Sequence, residues 1–450
     1  MSLSQKLANY IHSTTYDDLP KNVVSFTNLC VLDYFGSALA GASKSPVKMI
    51  DELVKEMGGK QHASLVTGGK SSTINAAFVN GAASHIVELD DIHKSSIIHA
   101  ATVVIPAALA VAEFKKRTGK ELITAIVAGY EVCYRIGEAV SPSHYYYWHN
   151  TATCGTFGAA AAAAKMLDLG EGQIIHALGN AGTQAAGLWE FIEDGAMTKQ
   201  LHPGKAAMNG VISALLAKKG FTGAQKILEG NRGFFKAMSD DYQAEKITAG
   251  LGDQYKIMEN SFKIHASCRH THPAMDLMIS LKNERSINID EINQINVQTY
   301  QVGYNITNND QPDSEYASKF SLQFCTALAL INGKGGSEQF NNQTLWENGI
   351  RELMKRVNVQ VSSEIDQFYP EKWGTSVEVY MKSGEVIKRS TDFPKGDPEN
   401  PVSVDELVNK FMNLARSIPE NERMGFVHKV LHLETIDSIR GLMESISYGK

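Results

Sequence analysis

The stretch NVVSFTNLCVLDYFGSALAG, residues 22–41, decides the fold class of the first half of the chain. Its apolar residues recur at helical spacing on nearly every face, and small residues collect at its C-terminal end. A helix that is apolar all round needs other helices to bury it, and small side chains let those helices approach closely. The stretch therefore predicts a buried helix inside a multi-helix domain.

Helical patterns continue on both sides of this stretch, and an unbroken alanine run at residues 159–164 adds high helix propensity. The predicted helices of the first half are residues 73–87, 103–114, 122–140, 156–167 and 206–218. After about residue 285 the pattern changes to strands. The predicted strands are residues 292–302, 357–362, 375–381 and 385–390, with helices at 317–331 and 344–356 between them. The short link Lys382-Ser383-Gly384 predicts a β-hairpin from the last two strands.

Two further helices, residues 404–415 and 420–433, follow a proline- and glycine-containing segment at 394–398. We therefore predict a mainly α protein with a large all-α helical domain and a smaller α+β lid domain. Residues 1–258 form the first part of the helical domain, residues 259–400 form the α+β lid domain, and residues 401–450 are helices that rejoin the helical domain.

Composition argues against two classes of partner. The 450 residues carry 43 Lys and Arg against 49 Asp and Glu, a formal net charge of -6, whereas proteins that coat DNA or anionic lipid are normally basic. The apolar segment at 96–112 contains His99 and Pro106 and falls short of the ~20 residues that span a bilayer. The five cysteines include no C-x-x-C pair, which fits a reducing compartment. We expect no nucleic-acid or membrane partner and a cytoplasmic location.

Common nucleotide and hydrolase motifs are missing from the sequence. Ser64 stands where the first glycine of a P-loop ending at Lys70-Ser71 belongs, and Gly250-Leu251-Gly252 lacks the third glycine of a dinucleotide fingerprint. Neither H-E-x-x-H nor G-x-S-x-G occurs.

Four segments concentrate histidine, lysine and small residues. The first, NGAASHIVELDDIHKSSIIH at residues 80–99, holds His85, Asp90, Asp91 and His99. It predicts a polar pocket wall with His99 as acid or base; the alternative is a helix C-terminus with ordinary surface charges.

The second segment, YYYWHNTATCGTFG at residues 145–158, places His149 between an aromatic cluster and a helix start, where anions bind well. The third, DGAMTKQLHPGKAAMN at residues 194–209, spaces Lys199, His202 and Lys205 three apart just before a helix. Three cationic groups there suit a carboxylate or a phosphate, and the alternative is a solvated loop.

The fourth segment, FKIHASCRHTHP at residues 262–273, allows two interpretations. In an extended chain Cys268, His270 and His272 share one face and suit zinc, although no second Cys/His pair has the spacing of a zinc finger. The other interpretation is proton chemistry at a carbon next to a carboxylate. That chemistry needs a base, cations that hold the enediolate, and a second proton-transfer group.

These segments resemble the MmgE/PrpD family, whose members include 2-methylcitrate dehydratases, cis-aconitate decarboxylases and iminodisuccinate epimerases. The resemblance covers nearly the whole chain. It also rests on Val31-Leu32-Asp33, Ala128-Gly129-Tyr130-Glu131, Phe320-Ser321 and Gly396-Asp397-Pro398-Glu399-Asn400-Pro401. It implies a homodimer, a helical domain with a smaller lid, and a site in the cleft between them that uses no cofactor and no metal.

Carried over by position, the resemblance implies catalytic or substrate-anchoring roles for His99, His149, Lys199 and Lys263. We expect Cys268, where this chain departs from decarboxylase members, to be catalytic as well. His99 and His149 would exchange protons, the two lysines would hold carboxylates and the enediolate, and Cys268 or His270 would relay the opposing proton. Asp90 or Asp91 would orient a histidine. The expected substrate-binding residues are Asp90, Asp91, His202, Lys205, Arg269, His270, His272 and Phe324.

Decarboxylase members of the family carry a histidine where this chain has Cys268 and a tyrosine where it has Phe324. These departures argue against decarboxylation and are compatible with dehydration or epimerisation, because a thiolate near Lys263 and Arg269 can serve as a base. The expected function is a lyase of a small di- or tricarboxylate, dehydratase-like or decarboxylase-like. The alternatives are an epimerase of a substituted succinate, a non-enzymatic polycarboxylate-binding protein on a degenerate fold, and a zinc enzyme.

Overall fold

The computed structural model describes residues 1–446. Contacts between Cα atoms divide the chain into two compact units. The helical unit contains Met1–Ile86, Asp90–Asn260 and Ser403–Lys450, and the sheet unit contains Val87–Leu89 and Ser261–Val402. Both main boundaries lie two residues after the boundaries expected from the sequence. The three-residue contribution of Val87–Leu89 to the sheet unit was not expected.

In the helical unit, helices pack closely where small residues lie at the points at which they cross. At one crossing, a Cβ added to Gly129 would lie 2.9 Å from the Gly158 carbonyl oxygen, and one added to Gly158 would lie 2.8 Å from that of Gly129. Only glycine allows two helix backbones to come so close at this point. The α-helices of the unit are Leu3–Ser13, Lys21–Gly41, Ser45–Met57, Thr73–His85, Ala101–Lys115, Gly119–Val140, Asn150–Met166, Glu171–Gly182, Phe191–Asp194, Thr198–Lys218, Phe234–Met238, Val404–Leu414, Glu420–Leu431 and Ile439–Glu444.

The helix predicted first, Lys21–Gly41, lies in the core of this unit. It is long and apolar enough to cross a membrane by length and composition, yet 78% of its most apolar window is buried by the protein itself. Burial of that kind is what a core helix requires. Short strands at Ala63–Ser64 and Lys70–Ser71 pair antiparallel beside the helices, and Ile92–His93 and Asn260–Ser261 are also extended.

The sheet unit is built on four strands in the order Val357–Val361, Ile292–Thr299, Thr375–Met381 and Val386–Thr391. The first pair is parallel and the other two are antiparallel. The predicted hairpin is confirmed: Met381 N–H donates to the Glu385 carbonyl at 2.8 Å, and Gly384 supplies a φ of +91°. The α-helices of this unit are His272–Glu284, Gln301–Thr307, Glu315–Ser318, Leu322–Asn332, Asn342–Leu345, Asn348–Met354 and Ser363–Asp366.

The mainly α fold class is confirmed, and five local predictions are wrong. The helices predicted at 317–331 and 344–356 are each divided in two, into Glu315–Ser318 and Leu322–Asn332 and into Asn342–Leu345 and Asn348–Met354. Lys199, His202 and Lys205 lie within the helix Thr198–Lys218 and not before it, because the helix continues through Pro203. Residues 268–272 are not extended, since Arg269–Thr271 forms a 3₁₀ turn that leads into the helix His272–Glu284. The strand predicted at 292–302 ends at Thr299, where a short helix begins two residues later.

Candidate active site

In the helical unit, helix ends bring the predicted acid/base residues together. His85 is the last residue of Thr73–His85, His99 lies just before Ala101–Lys115, and His149 is the N-cap residue of Asn150–Met166. Lys199 and His202 lie in the first two turns of Thr198–Lys218. Helix termini leave backbone groups without intrahelical partners, so they favour polar and ionised groups nearby.

Asp90 connects two histidines through one carboxylate oxygen. Its Oδ2 lies 2.8 Å from Nδ1 of His85 and 2.9 Å from Nδ1 of His99. The His99 Nδ1 is also 2.6 Å from the carbonyl oxygen of Asp91. Because both neighbours of that nitrogen are acceptors, Nδ1 carries the proton and Nε2 is the nitrogen that can exchange one.

A second imidazole pair adjoins the first. The Nδ1 atoms of His149 and His202 lie 3.1 Å apart, and the rings of His85 and His149 are stacked with centroids 5.8 Å apart. Burial, reinforced by His202, His85 and Lys199, holds the pKa of His149 well below 6.5. Burial and the charges of Lys205 and Lys199 lower the pKa of His202 to about 3. Both rings are therefore neutral at neutral pH, the state in which an imidazole can accept a proton.

Positive charge lies beside these neutral rings. Lys199 is buried with only 3% of its surface exposed, and its charge contributes to the lowered pKa values of His149 and His202. Lys205 is engaged locally, since its Nζ donates to the Ala186 carbonyl at 2.6 Å. A buried ammonium next to neutral bases suits an anionic substrate that gives up a proton.

Asp91 acts differently from Asp90. Its carboxylate accepts hydrogen bonds from the Tyr130 hydroxyl at 2.8 Å and the Asn260 amide at 2.9 Å, and Ala101 N–H donates to it at 3.1 Å. Burial outweighs these bonds and raises the pKa of Asp91 to about 7. Its side chain is therefore committed to the protein, and its backbone carbonyl orients His99.

In the sheet unit, Lys263 is fully buried with its Nζ 3.4 Å from Oε2 of Glu88. Glu88 belongs to the Val87–Leu89 segment and has a left-handed φ of +58°. Cys268 is partly exposed, and its backbone N–H donates to the Lys319 carbonyl at 2.9 Å. Lys319 Nζ in turn donates to the Val87 carbonyl at 3.0 Å. These contacts join the two predicted residues to the Val87–Leu89 segment.

The remaining predicted residues of the sheet unit are held by protein groups. Arg269 pairs with Asp397 at 2.5 Å and lies 2.9 Å from Nδ1 of His272. Nδ1 of His270 bonds to the Tyr300 hydroxyl at 2.5 Å, and its ring stacks on Trp373. Phe324 is fully buried in the helix Leu322–Asn332. Their substrate-binding roles remain predictions.

The groups whose geometry could bind a metal do not include Cys268, His270 and His272, the residues that the sequence suggested for zinc. Within residues 1–446, the donor groups that converge within 4.8 Å are His85 with Asp90 and His99, and His93 with Glu138 and Glu259. Lys256 already occupies the second group, at 3.0 Å from Glu138 and 3.1 Å from Glu259. Cys268, His270 and His272 belong to neither group.

Sequence reasoning missed two residues of these clusters. His85 was noted in its segment but received no role, although its spacing of five from Asp90 allows the contact once a helix ends between them. Glu88 carried no signal, because its partner Lys263 is 175 residues away in the sequence.

Fold and site together define a mainly helical, two-unit protein with clustered imidazoles, carboxylates and lysines suited to proton transfer. The MmgE/PrpD N-terminal domain matches residues 5–247, and the MmgE/PrpD C-terminal domain matches residues 265–433. Since these matches span most of its length, the chain belongs to the MmgE/PrpD family.

Curated relatives match along almost the full length of both chains. Cis-aconitate decarboxylase-like protein oryM of Aspergillus oryzae is 27% identical, over 99% of this chain and 97% of that protein. Cis-aconitate decarboxylase of Aspergillus terreus is 26% identical, over 99% and 96%. The mouse cis-aconitate decarboxylase is also 26% identical, over 99% and 91%. These relatives are named as decarboxylases, which are lyases, so the comparisons support an enzyme of a family that contains lyases.

Proposed function

We propose that this protein is a lyase that uses no cofactor and transfers a proton at a carbon next to a carboxylate of a small di- or tricarboxylate. The observation that carries the proposal is the cluster of His85, Asp90, His99, His149 and Lys199. It combines the neutral imidazole of His149, a carboxylate that orients the imidazoles of His85 and His99, and the buried side chain of Lys199. Full-length similarity to cis-aconitate decarboxylases supports the same class of substrate.

Each residue has a proposed role in this chemistry. His149, kept neutral by burial, accepts the proton, and the electrons of the C–H bond pass into the enediolate. Lys199 stabilises the added negative charge on the carboxylate. In a dehydration, His99 begins doubly protonated beside the Asp90 carboxylate and donates its Nε2 proton to the departing hydroxyl group, which leaves as water. His149 then carries the proton taken from carbon, and His99 is neutral. In a decarboxylation, carbon dioxide leaves first and the histidines return a proton to the carbanion.

In the sheet unit, Lys263 and Cys268 are proposed to hold a carboxylate and to exchange a proton with the substrate. Glu88 neutralises the buried charge of Lys263 in the absence of an anion. The choice between dehydration and decarboxylation rests on Cys268 and Phe324, which lack an imidazole and a phenol. Dehydration is therefore the proposed reaction, and decarboxylation of cis-aconitate is the reaction to test against it.

The test is proton NMR in D2O with the purified protein and, separately, citrate, 2-methylcitrate, cis-aconitate and substituted succinates. An olefinic product from a hydroxy acid supports a dehydratase, and carbon dioxide release from cis-aconitate supports a decarboxylase. Deuterium entry into a substituted succinate without a new product would replace the lyase by an epimerase. If no substrate reacts or exchanges deuterium, the proposal is wrong.

Variants connect the activity to the cluster. His149→Asn and Lys199→Met are expected to lower kcat by about a hundredfold or more, because each removes a group that acts in the transition state. His144→Gln is the matched control, since His144 is also buried but its nitrogens are bound by the Met238 carbonyl at 2.8 Å and Thr153 Oγ1 at 2.7 Å. Wild-type rates in the first two variants would remove the cluster from the mechanism.

We also propose that the protein is a homodimer, as the family resemblance implies, and that it is located in the cytoplasm, as its five cysteines without a C-x-x-C pair suggest. Size-exclusion chromatography with light scattering should give a molar mass of twice the 49.2 kDa chain mass. A mass equal to one chain would contradict the dimer.

A further inference from the structure

A loop that holds Trp189 lies against the candidate base. His149 N–H donates to the Gly187 carbonyl at 2.9 Å, and Trp189 N–H donates to the Tyr147 carbonyl at 3.1 Å. Trp148 and Leu188 form an isolated antiparallel bridge between the same two segments. The backbone bonds at Gly187 and Trp189 therefore fix the position of Trp189 relative to His149.

The Trp189 ring contacts the imidazole directly. Its centroid lies 5.1 Å from that of His149 in an edge-to-face arrangement, and Tyr145 and Phe191 pack on it at 5.0 and 5.1 Å. The residue as a whole is only half-buried, in contrast to the fully buried tryptophan Trp373. Ring contacts therefore hold Trp189 against His149.

Its polar atom finds no partner in the protein. The indole Nε1 of Trp189 is buried and has no hydrogen-bond acceptor within the described residues 1–446. An indole N–H only donates, and a buried donor without an acceptor is costly and rare enough to require a reason. Lys199 acts electrostatically on His149, which the Trp189 ring contacts, and Lys205 donates to the Ala186 carbonyl of the same loop. These positive charges favour an anionic acceptor.

We propose that the Trp189 indole N–H donates a hydrogen bond to a substrate carboxylate beside His149, and so contributes to selection for polycarboxylates. This inference rests on the proposed function for its substrate class. A site built to donate to one group discriminates strongly against analogues that lack the group, because the donor is then left unpaired. Trp189 is accordingly a specificity residue that contacts the substrate and transfers no proton.

The first experiment follows the N–H itself. With indole-¹⁵N-labelled protein, the four tryptophans give four side-chain N–H signals, and Trp189→Phe and Trp189→Tyr identify the signal of Trp189. Addition of propane-1,2,3-tricarboxylate should shift that signal, while the signal of Trp346, which is 55% exposed in the sheet unit, should stay in place. An unmoved Trp189 signal at saturation overturns the inference.

The second experiment measures affinity and rate. Trp189→Phe keeps an aromatic ring and removes the donor, so we expect binding of the tricarboxylate about tenfold weaker by calorimetry. The thermal midpoint of this variant measures separately the packing that is lost with the smaller ring. Trp346→Phe should bind as the wild type does. Equal binding by Trp189→Phe and the wild type overturns the inference. If the wild type binds the tricarboxylate but reacts with no substrate, the proposed function fails and the Trp189 result still stands; if it binds none, both fail.

Discussion

Asp90 ties two imidazoles to a single carboxylate oxygen, at 2.8 Å from His85 and 2.9 Å from His99. Asn at this position keeps one acceptor oxygen but loses the negative charge, so it binds both N–H groups more weakly and no longer stabilises an imidazolium. We expect Asp90→Asn to lower kcat by about a thousandfold, as loss of an orienting carboxylate does in other acid/base sites. Steady-state kinetics on the substrate found by NMR measure the effect.

Asp276→Asn is the control for this change. Asp276 forms a comparable bond to His265 in the sheet unit, with Nε2 2.8 Å from Oδ1, outside the proposed acid/base cluster. Its rate should stay within a few-fold of the wild type. Equal losses in the two variants would show that a general structural effect, and not orientation of the acid/base pair, explains Asp90.

His144 gives a prediction for pH and stability. Burial lowers its pKa to about 4 from 6.5, so the unfolded chain binds more protons than the folded chain between these values. Its stabilising contribution is complete above pH 6.5 and is lost as the pH falls towards 4. From about pH 7 to about pH 4, the free energy of unfolding of the wild type should fall by about 3 kcal/mol more than that of His144→Gln.

Urea titrations of both proteins at the two pH values give this difference. Burial raises the pKa of the Asp91 and Glu131 carboxyls to about 7. Their contribution to the free energy of unfolding therefore rises as the pH falls, opposite to that of His144. They are present in both proteins and cancel in the comparison. A difference near zero would mean that His144 is not held neutral in the folded protein.

At the scale of elements, the helices Thr73–His85 and Thr198–Lys218 cross at two glycines. A Cβ at Gly204 would lie 2.5 Å from the Phe78 carbonyl oxygen, and one at Gly81 would lie 3.0 Å from the Cα of Gly204. We expect Gly204→Ala to lower the free energy of unfolding by about 1–3 kcal/mol, because the backbones must separate. Turnover should fall as well, since the same helix carries Lys199 and His202.

Gly425→Ala is the matched control for that crossing. Gly425 lies in the helix Glu420–Leu431 with no neighbouring atom within 4 Å of an added Cβ, so alanine there should stabilise the protein by up to about 1 kcal/mol. Urea unfolding of both variants checks the pair. A Gly204→Ala protein as stable as the wild type would show that the crossing adjusts at little cost.

Elements with one dominant signal could be predicted from the sequence. The pattern at residues 22–41 corresponds to the helix Lys21–Gly41, and Gly384 marked the hairpin. The helix start at Thr198 was missed because Pro203 and Gly204 are typical helix breakers, whereas close packing against Phe78 favours glycine there. The contacts of His85 and Glu88 depend on where helices end and on distant partners, which spacing alone does not encode.

On the scale of the whole molecule, the last helices return to the beginning of the chain. Lys410 Nζ lies 2.6 Å from Oδ1 of Asp33, across 377 residues of sequence, and the Asp33 side chain is fully buried. Removal of one partner leaves a buried charge uncompensated, so Lys410→Met should cost about 3–5 kcal/mol of unfolding free energy. The double variant Asp33→Asn with Lys410→Met should recover most of this loss.

Urea unfolding of the two single variants and the double variant measures the coupling between these residues. Strictly additive losses would show that the ion pair does not join the C-terminal helices to Lys21–Gly41.

The three-residue segment Val87–Leu89 restricts how this architecture can be recombined. A chimera in which only residues 261–402 of this chain replaced those of a relative would carry Lys263 into the recipient and leave Glu88 behind. The buried Lys263 ammonium would then depend on whichever residue the recipient has at the position of Glu88. The sheet unit is therefore a discontinuous module. Grafts that transfer residues 87–89 together with residues 261–402 should fold where grafts of residues 261–402 alone do not.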